Sequence, residues 1–143
     1  MVKFSQFEMK KRHSFLEYIF GGCEISLSIA VDFTLSNGNP NDPNSLHNKD
    51  LTRNEYLKAI TSVGNILQYY DHDKQIPTLG FGAQINGKVE HCFAMNGDIF
   101  NPECDGIDGV VETYKNAIKN VSLYGPTHFS SILDLVNEMT ESI

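Results

Sequence analysis

The sequence predicts an α/β fold, a small sheet with helices packed against it. Three observations carry that prediction. Residues 24–31, EISLSIAV, form an apolar run rich in β-branched residues that ends on Asp32. Two later stretches repeat apolar residues at helical spacing: Ile107, Val110, Val111, Tyr114 and Ile118, then Phe129, Ile132, Leu133, Val136 and Met139. Between them and the first run, Asn86-Gly87 separates two short apolar segments, the pattern of a tight antiparallel hairpin.

Taken in order, residues 2–9, VKFSQFEM, suit a short strand. Ser14 and Glu17 then have the spacing of a capping box, which opens a helical turn through Phe20 that Gly21-Gly22 stops. In the run 24–31, Ile25, Leu27, Ile29 and Val31 share one face and Ser26, Ser28 and Ala30 the other. That pattern predicts a strand covered on both sides. Residues 37–50 are dense in Asn, Gly, Pro and Asp and read as a loop. Thr52 and Glu55 predict a second capping box, opening a helix of about five turns that ends near Asp71. Its apolar stripe is Tyr56, Leu57, Ile60, Val63, Leu67 and Tyr70. Residues 76–83 and 90–95 read as the second and third sheet strands, followed by the two helices already named.

The 143 residues are 41% hydrophobic and 20% charged, enough apolar material for one core. A net charge of -7 argues against nucleic acid and against direct adhesion to anionic lipid, and it suits a cation. The three cysteines, Cys23, Cys92 and Cys104, are widely spaced and form no CxxC pair. This predicts neither a zinc site nor a disulfide framework and favours a reducing, cytoplasmic setting. The N-terminal residues carry Lys3, Lys10, Lys11 and Arg12 without the apolar segment of a secretory signal, and no run is long enough to span a bilayer.

The residues best placed for chemistry are Asp32, Thr34 and Ser36, alternating at the carboxyl end of the first strand, where open α/β sheets bind ligands. Carboxylate and hydroxyl oxygens suit a hard cation such as Mg²⁺. Thr127, after Gly125-Pro126, offers a further hydroxyl. By pattern alone these residues also serve as turn and cap residues, Thr127 as a helix N-cap. Other clusters have plainer readings. His91-Cys92 and Cys104 are not fixed as a nucleophile pair. Glu103, Asp105 and Asp108 favour the start of a helix. Asp71, His72 and Asp73 read as a solvated helix end, and residues 37–42 as a turn without the spacing of a calcium loop.

Several segments carry a resemblance. HSFLEYIFGGCEISLSIAVDFTLSNGNP, SLH at 45–47, NEYLKAI at 54–60, YDHDK at 70–74, GFGAQI at 80–85, NPEC from Asn101, GIDGVVETY from Gly106 and YGPTHFSSIL from Tyr124 resemble, in unbroken order over residues 14–139, the von Willebrand factor A domain of copines. The resemblance implies a partial doubly wound, Rossmann-like α/β fold, truncated before the fourth sheet strand. It assigns residues 1–22 to a C2-domain remnant strand and linker, and 23–143 to the partial A domain. It also implies a metal-ion-dependent adhesion site. Asp32, Thr34, Ser36 and Thr127 match four of its ligands, while the last acid lies on the strand that would follow Ile143.

From the resemblance follow the functional expectations. The chain is a non-catalytic protein-interaction module related to calcium-dependent phospholipid-binding proteins. It holds Mg²⁺, Mn²⁺ or Ca²⁺ weakly and takes a protein ligand that offers a carboxylate. It meets the plasma membrane only indirectly and self-associates through an unpaired sheet edge. The competing expectations are the substrate-binding part of a relative of RING-type ubiquitin ligases, and a non-functional gene fragment.

Overall fold

The computed structural model describes residues 8–141. The expected first strand, residues 2–9, lies mostly outside them, and Glu8 and Met9 are not in a strand. Helix α1 (Phe15–Phe20) opens on the predicted capping box: Glu17 N–H donates to Ser14 Oγ at 3.3 Å, and Ser14 N–H to Glu17 Oε2 at 2.8 Å. Strand β1 is Ile29–Asp32, shorter than expected. Helix α2 is Glu55–Leu67. Strands β2 (Gln75–Phe81), β3 (Ala83–Ile85), β4 (Lys88–Glu90), β5 (Phe93–Ala94) and β6 (Glu103–Asp105) follow. Helix α3 (Gly106–Asn120), strand β7 (Ser122–Leu123) and helix α4 (Ser130–Glu141) complete the order.

The fold is mixed α/β with one mixed and one antiparallel sheet. In the larger sheet β2 is central, pairing parallel with β1 and antiparallel with β5 and β6. In the smaller, β3 pairs antiparallel with β4 and with β7. The hairpin forms where Asn86-Gly87 predicts it, with positive φ at both residues (50° and 82°) and Ile85 opposite Lys88.

Strand alternation divides β2 between two cores. Ile76 faces a cluster with Val31, Phe33, Ile60, Ile107, Val110 and Tyr114, closed by α2 and α3. Leu79 and Phe81 face Ile132, with Leu135 and Val136 of α4 beside them. Helices therefore cover β2 on both faces. At about 25 cal/mol per Å² of apolar area removed from water, these two clusters are the main stabilising contribution.

Several expectations need correction. The run 24–31 is not covered on both sides: Ser26, Ser28 and Ala30 are exposed, because α4 reaches only β2. Helix α2 ends at Leu67, and Val63 and Leu67 of its expected stripe face solvent, as do Phe129 and Leu133 of the last expected stripe, where Leu135 packs instead. In α2 Gly64 is buried instead, and a Cβ there would lie 2.4 Å from Ile107 Cδ1, so a side chain would push α2 and α3 apart. The cap of α2 is Asn54, whose Oδ1 accepts from Leu57 N–H at 2.8 Å, while the Thr52 hydroxyl turns to Asp50. The expected strands 76–83 and 90–95 are each divided between the two sheets: Gly82 takes φ +72 and turns the chain from β2 to β3, and His91 and Cys92 separate β4 from β5.

Candidate metal centre

Strand β1 delivers Asp32 to the sheet's carboxyl end, and the chain then turns at once. The turn is an Asx turn: Thr34 N–H donates to Asp32 Oδ1 at 2.7 Å. Its consequence is that Thr34 and Ser36 come to the same side, their hydroxyl oxygens 3.0 Å apart. Residues Leu35–Asn37 make a single 3-10 turn, and the Asn37 amide donates inward to the carbonyls of Asp32 and Thr34, both at 3.1 Å. Asp32 Oδ2 and the Thr127 hydroxyl have no hydrogen-bond partner among the described residues.

Two features that local sequence reading missed hold this turn. Gly82 lies against Thr34: a Cβ on it would be 2.3 Å from Thr34 Cγ2. Its bare α-carbon lets the Thr34 methyl pack inward while the hydroxyl faces Ser36. The second is a buried polar knot behind Asp32. His47 Nε2 donates to the Asp32 carbonyl at 2.6 Å, and Nδ1 meets the Tyr114 hydroxyl at 2.8 Å. Tyr114 in turn reaches Asn54 Oδ1 at 3.0 Å. The His47 ring is stacked between Phe33 (5.2 Å, 5°) and Tyr56 (4.0 Å, 10°). The Tyr56 hydroxyl donates to Asn37 Oδ1 at 3.0 Å, closing the knot onto the turn.

Burial sets the protonation of this knot. It lowers the His47 pKa, against the Asp32 carbonyl bond and the Asp32 charge, which both raise it. The neutral ring then carries its proton on Nε2, because a carbonyl can only accept, and its bare Nδ1 and Asn54 Oδ1 share the single Tyr114 hydroxyl proton. Burial likewise pushes Tyr56 and Tyr114 up to about 12, with the Asp32 charge adding to the effect at Tyr56. Asparagine and histidine signals for such a knot exist in the sequence, as SLH and NEY, but nothing local says that residues 32, 47, 54 and 114 converge.

Tyr124, three residues before Thr127, reaches the Asp32 turn by a separate route. Tyr124 forms a parallel bridge with Thr34, Leu35 N–H donates to the Tyr124 carbonyl at 2.7 Å, and Tyr124 N–H donates to the Phe33 carbonyl at 3.2 Å. The chain carrying Thr127 thus runs beside the Asp32 turn. Helix α4 begins at Ser130, so Thr127 is not its N-cap.

A copine family model matches residues 45–143, more than half of the chain. The chain belongs to the copine family. In this copine chain the matched span contains His47, Asn54, Tyr114 and Thr127, and Asp32, Thr34 and Ser36 stand ahead of it.

The remaining candidates of the copine chain resolve simply. Asp71 is buried rather than solvated: it accepts from Leu27 N–H at 2.8 Å and from Lys74 N–H at 3.3 Å, tying the stretch before β1 to the end of α2. His72 and Asp73 are exposed. Cys104 is buried with Sγ 3.3 Å from Thr113 Oγ1, and burial pushes the Cys92 thiol up, away from an activated thiolate. Asp108 sits in the first turn of α3, where the helix dipole favours it, while Glu103 and Asp105 belong to β6. Asn39 and Asp42 make Asx turns with Asn41 and Asn44. Among the described residues no group of three His, Cys, Asp or Glu could hold a metal, so any cation site here depends on hydroxyl oxygens.

Proposed function

We propose that this copine chain is a non-catalytic protein-interaction module in which Asp32, Thr34, Ser36 and Thr127 hold Mg²⁺, Mn²⁺ or Ca²⁺ weakly and a carboxylate of a partner protein completes the shell. One observation carries the reading. Adjacent corners of an Mg²⁺ octahedron with metal–oxygen distances of about 2.1 Å lie about 3.0 Å apart. The Thr34 and Ser36 hydroxyls, hydrogen-bonded to each other with their oxygens 3.0 Å apart, already stand at that spacing. The free Oδ2 of Asp32 supplies the charge that two neutral hydroxyls lack.

The cation would act as a bridge, a positive point between one carboxylate of this chain and one of the partner. The chain's own residues provide the rest: the Asx turn aligns the oxygens, and the knot behind Asp32 keeps the turn from relaxing. Contact with the membrane is indirect in this reading, through other molecules.

Isothermal titration with Mg²⁺ and Mn²⁺ tests it. Native protein should give heats that vanish in Asp32→Ala and shrink in Ser36→Ala. Identical heats for native protein and Asp32→Ala would remove the metal.

A further inference from the structure

A cleft of about 700 Å³ opens beside the metal turn, between the loop 39–51 and the carboxyl end of α3. Its floor is apolar, formed by Leu35, Leu51 and Ile118 among others, and its rim carries Lys49, Lys115 and Lys119. Leu35 stands between Thr34 and Ser36 in sequence and is 60% exposed, so the cleft adjoins the metal turn. An exposed leucine at this point gains nothing from the chain's own core.

Of the described cations that make no ion pair, Arg12 and Lys74 lie elsewhere and the other three line this cleft. The protein has net charge -7 and eleven lysines and arginines. Lys10, Lys11, Arg53, Lys58 and Lys88 each pair with a carboxylate. The three cleft lysines make no ion pair among the described residues, and no Asp or Glu lines the cleft. Three unneutralised ammonium groups around an apolar floor are complementary to an occupant that is acidic and apolar at once.

We infer that this cleft docks an acidic segment of a partner protein, its apolar side chains on Leu35, Leu51 and Ile118 and its carboxylates toward Lys49, Lys115 and Lys119. The inference rests on the reading of the chain as an interaction module and extends it from one carboxylate at the metal turn to a class of partner sequence. A nucleic acid or an anionic bilayer would meet the same lysines, but each presents a continuous negative surface to a chain of net charge -7.

Fluorescence anisotropy with a labelled twelve-residue peptide of alternating Glu and Leu, in EDTA, tests the cleft apart from the metal. Binding should weaken tenfold or more in the triple variant Lys49→Glu, Lys115→Glu, Lys119→Glu, and severalfold in Leu35→Ser, with circular dichroism of both unchanged. A Glu/Ser peptide of the same length should bind at least fivefold more weakly. Because the anisotropy is read in EDTA, lost peptide binding speaks only to the cleft, while lost Mg²⁺ heats in the titration speak only to the metal. Equal affinity of native and triple-variant protein, or equal binding of the two peptides, would overturn the inference. So would lysine-dependent pelleting with phosphatidylserine vesicles without peptide binding, which would assign the patch to a membrane.

Discussion

The two ends of β1 are built by different means. At the carboxyl end Val31 and Phe33 are fully buried, and the Asp32 carbonyl accepts from both His47 and Asn37. At the amino end, Ser26 and Ser28 face solvent, and Leu27 is held by one bond to the Asp71 carboxylate. Among the described residues β1 pairs only with β2, so its other edge is open. The difference teaches that the Asp32 turn is held by a local polar and aromatic knot, not by the completeness of the sheet. A half-covered strand can still present its tip in a fixed geometry when that tip has its own hydrogen bonds.

The largest expected effect comes from cutting the knot. His47→Ala empties a fully buried, doubly stacked position and strips a donor from the Asp32 carbonyl, a loss of about 3 kcal/mol or more. Denaturant unfolding measures it, and a loss below 1 kcal/mol would mean that the sheet, not the knot, holds the turn. The same ring gives a pH signature. Its folded pKa is depressed, so as pH falls below about 6.5 the unfolded chain takes up the proton first. The stabilisation is fully present above that pH and is lost as pH drops through the folded value. An imidazole resonance of His47 titrating above about 6.5 would contradict the buried neutral ring.

Gly82→Ala tests the carboxyl end from the other side. The new methyl would strike Thr34, and alanine at φ +72 is strained, together costing about 2 kcal/mol. Mg²⁺ heats should fall with stability, since Thr34 must move. Unchanged heats in a folded Gly82→Ala protein would detach Thr34 from the site.

The smallest effect on stability belongs to the open edge. We propose that it lets two copies pair weakly through β1, as unpaired strand edges do. Ser28→Lys should change stability by less than about 0.5 kcal/mol, because the residue is exposed, yet abolish any concentration-dependent dimer in sedimentation velocity. A dimer that survives this substitution would place the contact elsewhere, for example on the exposed aromatics Phe15 and Phe20 of α1.

Much of this was legible where the physics is local. Asn86-Gly87 forces its hairpin because both residues tolerate positive φ, and Ser14 with Glu17 closes a capping box within four residues. The alternation Asp32, Thr34, Ser36 likewise became a single turn. Misreadings came where two local partners competed. Thr52 had the spacing of a cap, yet Asp50 takes its hydroxyl and Asn54 takes the helix. Asp71 looked like a solvated helix end because Leu27, its partner, lies 44 residues earlier in the chain.

The sequence by itself determined the α/β class, the hairpin, the helical stripe of α3 and the oxygen-rich turn after β1, since each depends on residues within one or two turns of chain. Only the tertiary structure decided that His47, Asn54 and Tyr114 lock that turn from behind and that Gly82 leaves room for Thr34. The reason is physical: a periodic pattern fixes which face of an element is apolar, but which buried donor meets which carbonyl depends on packing between elements far apart in the chain.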